Sequence, residues 1–211
     1  MVKLTIPSED ILGDNYNITD ISVSNYNPTI DGTVTLTVTV KDVYGDAVSG
    51  ESVLVTASAG NFTKYNGSTI TGASSYTGTT NSSGQFTLTY TCSEWGIINF
   101  SANNVNAQVN VIGWRTLTDD TWQTIKYNDE MCQISIHSES LSFGTSWSLQ
   151  NANILGDMKN TLKPKNPVIS RSYSTAPNFL AIKEDGGLYK KSDSGSSNTS
   201  GAYCTLLWRY K

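Results

Sequence analysis

From residue 33 to residue 40 apolar and polar side chains alternate without a break. Val34, Leu36, Val38 and Val40 fall on one side and Thr33, Thr35, Thr37 and Thr39 on the other. A period of two marks an antiparallel strand with one face in a core and the other in water. Similar short runs follow at 52–58, at 85–91 with Phe86, Leu88 and Tyr90 in alternation, at 97–102 and at 107–112. Turn clusters separate them: Tyr44-Gly45-Asp46, Ala59-Gly60-Asn61 and Asn81-Ser82-Ser83-Gly84. Strands at this spacing, with no helical period between them, predict a β-sandwich.

Val111-Ile112-Gly113-Trp114 closes this set, and a segment richer in Trp and basic residues begins, so the boundary is placed near Gly113. Beyond it, strands are predicted at 122–127, 131–137, 141–147, 168–173, 179–183, 187–191 and 202–210. Glu184-Asp185-Gly186-Gly187 reads as a hairpin turn between Leu180/Ile182 and Leu188. Only 153–162, with Ile154, Leu155, Met158 and Leu162, predicts a helical turn or two, and Gly156 weakens it. The expected organisation is all-β: a connecting segment at 1–19, a first sandwich at 20–112 and a second at 113–211.

Composition supports this picture. Ser, Thr, Asn and Gly make up about 42% of the 211 residues while charged residues make up 15%, a balance that favours strands and turns over solvent-facing helices. Hydrophobic residues at 37% supply core material and exclude intrinsic disorder. A net charge of -4 argues against a nucleic-acid partner, which needs a basic patch. The charge is uneven: three basic against nine acidic side chains in 1–112, eleven against nine in 113–211. The N-terminal residues lack the apolar run of a secretory signal, and no stretch approaches the length of a membrane span. Membrane insertion is therefore not expected, and the chain reads either as a fragment of a longer exported protein or as one assembled inside a cell.

Cys92, Cys132 and Cys204 have no metal-ligand spacing, and their odd number prevents full pairing. Cys132 and Cys204 have the option of pairing within the second half; free buried thiols suit a reducing compartment instead. No cofactor or metal is expected.

In the first half, Asp42-x-x-Gly45-x-x-Val48-x-Gly50-x-x-Val53, then Asn81-Ser-Ser-Gly84-Gln-Phe86, then Gly96-Ile-Ile-Asn-Phe100-Ser-Ala102, resembles the Ig-like domains stacked in invasin and intimin adhesins and in surface proteins of methanogenic archaea. The resemblance covers 20–112 and implies a spacer or stalk. In the second half, Leu162-Lys-Pro164-x-x-Pro167-Val, then Phe179-Leu-Ala-Ile182-x-x-Asp185-Gly186-x-Leu188-Tyr189 and a final Leu207-Trp208-Arg-Tyr210, is similar to the jelly-roll-like β-sandwich heads of phage tail fibres and baseplate receptor-binding proteins. That resemblance implies a homotrimer, for which Leu206, Leu207, Trp208 and Tyr210 are the expected anchors. It also implies a virion location, with other tail or baseplate proteins meeting the N-terminal segment.

Catalytic chemistry finds little footing. His137, the one histidine, sits in an alternating run and lacks a nucleophile-elbow partner. The carboxylate pairs Asp119/Asp120, Asp129/Glu130 and Glu184/Asp185 are sequence neighbours, which on a strand point to opposite faces; turn placement suits them better. Sequons at Asn17, Asn61, Asn66, Asn81, Asn99 and Asn198 are expected by chance in so Ser- and Thr-rich a chain. The polar stretch 190–202 reads either as a solvated connector or as a recognition loop. The candidate receptor-binding residues are Trp147, Tyr189, Lys190, Lys191, Asp193, Asn198 and Tyr203, aromatics able to stack on sugars beside groups that suit an anionic polymer. The expected function is that of a viral or prophage tail-fibre adhesin, not an enzyme, binding a host-surface glycan or wall polymer through 113–211. The alternative is a fragment of an extracellular, cell-surface Ig-like adhesin of a prokaryote, and a fibre-borne depolymerase ranks third.

Overall fold

The computed structural model describes residues 17–119, 123–136, 141–143, 148–151, 154–166, 168–171, 178–192, 197–199 and 204–211. The chain divides into two compact units, Met1–Ile112 and Gly113–Lys211.

The first unit is an Ig-like sandwich built from β1 (Ile18–Val23), β2 (Thr33–Lys41), β3 (Ser52–Ala57), β4 (Asn61–Tyr65), β5 (Ser68–Ala73), β6 (Ser75–Thr79), β7 (Gln85–Thr91), β8 (Gly96–Ala102) and β9 (Val105–Val111). One sheet has the order β1-β2-β7-β4-β5 and the other β6-β3-β8-β9. The alternation at 33–40 becomes the spine of the first sheet. Val34, Leu36 and Val38 lie opposite Tyr90, Leu88 and Phe86 of β7 and are fully buried, while the threonines face out. Val53 and Val55 of β3, Ile98 and Phe100 of β8, and Val109 and Val111 of β9 complete the core from the second sheet.

Tyr90 ties these layers together. Its ring meets Phe62 edge-on at 6.1 Å and Phe100 at 5.0 Å, the T-shaped geometry aromatic quadrupoles prefer. Its hydroxyl donates to the Ala59 carbonyl at 2.8 Å, which satisfies a polar tip that would otherwise be stranded in the core. Burial pushes the phenol up to about 12.

After β1 the chain changes sheets. The Asn110 and Ile112 N–H groups donate to the carbonyls of Tyr26 and Pro28 at 2.8 and 2.9 Å, and Ile30 N–H returns to the Ile112 carbonyl. The resulting parallel contact between Thr29 and Ile112 covers part of the β9 edge that would otherwise be open for pairing. Strand pairing begins at Ile18, two residues inside the expected connecting segment.

β4, β5 and β6 arise where no alternation predicts them. β5 contributes no fully buried side chain, so it lacks a hydrophobic signature. The local signal is the Asn66-Gly67 pair, whose φ values of 46° and 81° form the two-residue turn between Tyr65 and Ser68.

The second unit contains β10 (Arg115–Asp119), β11 (Gln123–Tyr127), β12 (Met131–Ile136), β13 (Leu141–Phe143), β14 (Ser148–Asn151), a 3-10 turn (Gly156–Met158) leading into α1 (Lys159–Leu162), β15 (Val168–Arg171), β16 (Asn178–Ile182), β17 (Leu188–Ser192), β18 (Ser197–Thr199) and β19 (Cys204–Arg209). Its sheets run β10-β11-β12-β19 and β14-β17-β16-β15, with β13-β18 as a separate pair. The pairs nest, β12 with β19 around β13 with β18, β14 with β17 and β15 with β16, as in the folded-over hairpin of a jelly roll. The order β14-β17-β16-β15 is a Greek key. Ile125, Cys132, Ile134, Leu206 and Trp208 pack in one cluster with Leu180, Ile182 and Leu188, joined by Ile154, Leu155 and Leu162 of the helical insert. The buried Trp208 indole N–H donates to the Leu162 carbonyl at 2.6 Å, which fixes that insert to the core.

The second unit bears on three of these sequence readings. Cys132 lies opposite Trp208 and Cys204 opposite Ile136, so the two cysteines are four positions apart on neighbouring strands. That is about 14 Å at ~3.4 Å per residue, beyond the roughly 7 Å a disulfide bridges. Cys132 is a free buried thiol, pushed up to about 12 by burial. Of the expected trimer anchors, Leu206 and Trp208 are buried in the unit's own core and Tyr210 packs against it. Only Leu207 faces out, 47% exposed, because β19 alternates like any strand. Finally, the stretch 190–202 is not a plain connector, since β18 lies within it and pairs with β13. Strand structure in 141–147 is described only for Leu141–Phe143.

Gly60 offers a direct check of the core. It sits at φ 71°, and a Cβ there would lie 2.2 Å from the Tyr90 hydroxyl oxygen, whereas Gly67 at φ 81° has nothing within 4 Å. Gly67→Ala therefore carries backbone strain alone, about 1–2 kcal/mol. Gly60→Ala adds overpacking, for a total of roughly 3 kcal/mol or more. Urea unfolding followed at the Val34 and Phe100 amides by NMR should separate the two variants in that order.

Candidate functional site

β17 carries three of the candidate residues in consecutive positions, so they divide between two faces. Lys190 lies opposite Leu180 of β16 and Ser148 of β14, in the row that contains the buried Leu180. Tyr189, opposite Ala181, and Lys191, opposite Phe179, share the other face. Asn198 is on β18 opposite Ser142. Trp147, Asp193 and Tyr203 lie outside the described residues, as do His137, Trp122 and Asp120. The structure thus brings Tyr189 and Lys191 together and sets Lys190 on the opposite face.

Tyr189 is held by the hairpin that precedes it. That hairpin is longer than a two-residue Asp-Gly turn. Gly186 N–H donates to the Lys183 carbonyl at 2.8 Å and Lys183 N–H to the Gly187 carbonyl at 3.2 Å. Gly186 adopts φ 74°, making a type I turn followed by a left-handed glycine. Asp185 takes the Gly187 N–H on one carboxylate oxygen at 2.9 Å and the Tyr189 hydroxyl on the other at 2.5 Å. The Lys183 ammonium sits 4.1 Å from the centre of the Tyr189 ring, a cation–π contact. One face of this ring is therefore engaged within the unit, which leaves a single face for stacking on a ligand. The Tyr189 hydroxyl, then the Gly187 amide and the neighbouring lysines, hold the Asp185 carboxyl below its ordinary range, while the bond to Asp185 raises the Tyr189 phenol.

Of the other expected turn pairs, Asp119 instead ends β10 opposite Thr124, Asp120 lies outside the described residues, and Asp129 and Glu130 lie between β11 and β12. Glu130 N–H and Met131 N–H both donate to Asn128 Oδ1 in the β11–β12 turn, and the Glu130 carboxylate makes an exposed contact of 3.7 Å with Arg209. Such surface pairs contribute little. Among the described residues no group of three or more His, Cys, Asp and Glu is placed to hold a metal.

The first unit holds a concave feature that no sequence motif signals. A cleft of about 230 Å3 is lined by Tyr26, Asn27, Ile97, Gln108, Val109 and Asn110. Its residues come from the sheet-changing segment and from β8 and β9, which no single run of sequence brings together.

No protein-family model and no curated protein matches this sequence. Among solved structures, the chain is similar to domains 4 and 5 of the S-layer protein SbsC, with 24% identity over 46% of this chain and 54% of that one and a TM-score of 0.29. It is similar to the Yersinia pseudotuberculosis adhesin InvE, with 14% identity over 94% of this chain and 61% of that one and a TM-score of 0.36. The Escherichia coli adhesin FdeC gives 16% identity over 89% of this chain and 63% of that one, with a TM-score of 0.35. The chain thus spans between 54% and 63% of the length of these structures. Likeness of this degree leaves the function to be argued from the residues.

The Asp185–Tyr189 bond predicts a linked titration. Tyr189→Phe removes the donor, so the Asp185 carboxyl should move up toward its ordinary range, read by carboxyl-carbon NMR. The stabilisation from Asp185 is complete above the ordinary carboxylate range and is lost as pH falls through its lowered folded value; that from Tyr189 is complete below the ordinary phenol range and is lost as pH rises through its raised one.

Proposed function

We propose that the chain is a segment of a prokaryotic cell-surface adhesin, in which residues 1–112 act as an Ig-like spacer and 113–211 present a surface that binds a host or neighbouring-cell glycan or wall polymer. The observation that carries this is the tandem build: an Ig-like sandwich locked at its turns, followed by a second sandwich that holds the chain's surplus of basic residues. Tyr189 and Lys191 on the outer side of β17 supply one aromatic face and one cation, which suits an anionic or mixed polysaccharide. A contact of that size is weak alone, so adhesion rests on several copies acting through effective concentration.

A second location, the tip of a viral tail fibre, draws support from the nested jelly-roll pairing of the second unit. Homotrimerisation and docking to tail or baseplate proteins through 1–19 belong to that alternative. Since Leu206 and Trp208 serve the unit's own core, a trimer would have to use other outward residues, such as Leu207 and Ile169.

Light scattering on the full chain separates the two readings, a monomer favouring the adhesin and three copies the fibre. Antibody labelling of intact producing cells should mark their surface; label confined to virus particles would overturn the adhesin proposal. Lys191→Glu should lower binding to target cells by about tenfold, roughly the 1.4 kcal/mol of one lost charge contact. Lys126→Glu, on the other sheet, should leave it unchanged.

A further inference from the structure

We propose that the first unit itself binds a neutral saccharide, in the cleft formed by Tyr26, Asn27, Ile97, Gln108 and Asn110. This goes beyond the role of spacer and does not depend on recognition by residues 113–211.

The cleft pairs exposed apolar surface with a fixed backbone. Tyr26 is 64% exposed and Ile97 63%, values that usually belong to loose loops. Here both residues sit on ordered structure. The Tyr26 carbonyl takes the Asn110 N–H at 2.8 Å, and the next residue's N–H is closed onto Asn25 Oδ1 at 2.9 Å. Ile97 lies on β8 directly opposite Asn110 of β9, with Gln108 two residues along on the same face. Between Gln108 and Asn110, Val109 turns its side chain into the core at 1% exposure and so fixes this stretch of β9. A backbone fixed in advance lowers the entropy cost of binding.

The chemistry of the lining selects the ligand. Asn27, Gln108 and Asn110 carry amides, each both donor and acceptor, which matches vicinal hydroxyls that also donate and accept. The Tyr26 ring and the Ile97 side chain offer an apolar surface for the C–H face of a pyranose. Among the described residues no Asp, Glu, Lys or Arg lines the cleft, so a phosphate, sulfate or carboxylate would find no charged partner there. The surrounding outward positions of the same sheet, Leu54, Thr56, Asn99 and Asn106, are uncharged as well. The volume of about 230 Å3 lies below the roughly 300–1,000 Å3 of drug-sized pockets and suits one or two sugar rings.

A peptide added as an extra strand is disfavoured by the backbone. At this stretch of β9 the Asn110 and Ile112 N–H groups are already taken by the Tyr26 and Pro28 carbonyls, and strand addition depends on free donors along an edge.

The test is an NMR titration of the full chain with cellotriose and chitotriose as neutral probes and 3′-sialyllactose as the anionic one. The neutral sugars should shift the Ile97, Gln108 and Asn110 amides with millimolar affinity, and sialyllactose should do so less. Tyr26→Ala removes an exposed side chain, so the Val34 and Phe100 amides should stay in place while affinity falls about tenfold or more, the scale of one lost stacking contact. Asn110→Asp, which places a charge in the cleft, should weaken the neutral sugars too. The proposal is overturned if neither neutral sugar moves these amides, if Tyr26→Ala binds as tightly as the parent, or if the anionic sugar binds best. It is also overturned if the same amides shift on raising protein concentration alone, which would make the cleft a contact between copies of the chain.

Discussion

Tight reversals in a sandwich leave backbone N–H groups that no ladder reaches, and at four turns, two in each unit, a side-chain oxygen from the turn itself takes them up. Asp42 Oδ1 accepts the Tyr44 and Asp46 amides, and Asn81 Oδ1 accepts those of Ser83 and Gln85. Asn128 Oδ1 accepts those of Glu130 and Met131, and Asp185 Oδ1 that of Gly187. One such bond is worth only about 1 kcal/mol net, but its consequence is register. A slip of one residue would turn Val34, Leu36, Val38 and Val40 to solvent and bring the threonines inward. The same turns use Gly45, Gly84 and Gly186 at left-handed φ. At Gly84 the space is closed too, since a Cβ would lie 2.5 Å from the Val40 carbonyl oxygen.

With register held, the two cores close by different means. The first unit closes sheet on sheet around Tyr90, Phe62 and Phe100, and Thr80 clamps the chain leading into β3 by donating to the Val48 carbonyl and accepting the Glu51 amide. The second unit adds a helical insert, where Leu155 and Leu162 join the core and the Trp208 indole anchors the end of α1. A rigid frame of this kind leaves function to outward side chains on strands and their connections. Both surfaces proposed for binding have that character: Tyr189 and Lys191 on β17, and Tyr26 with its amide neighbours beside β8 and β9.

The parts of the fold that were legible are those in which one residue's neighbours in sequence are also its determinants. The Val/Thr alternation of β2, the Phe86-Leu88-Tyr90 period of β7 and the Asp- and Asn-led turns are of this kind, as is the short helical insert near Leu155. β5, β6 and β18 were not legible, because Ser- and Thr-rich strands owe their pairing to partners far along the chain and carry little hydrophobic signal of their own. The candidate site fared likewise. That Tyr189 and Lys191 share a face follows from the period of two, but the contacts of Tyr189 with Lys183 and Asp185 depend on how the hairpin folds back.

Local chemistry in the sequence thus determined an all-β chain, a change of character near Gly113, the inward and outward faces of the strongest strands and the positions of its turns. Only the tertiary structure decided which aromatic residues were consumed by the cores and which remained for recognition. Trp208 and Tyr90 proved to be core residues with internal hydrogen bonds, whereas Tyr26 stayed in solvent. The physical reason is that an aromatic side chain gains as much from a packed interior as from a ligand. Composition and period do not separate the two uses, and long-range pairing of the strands does.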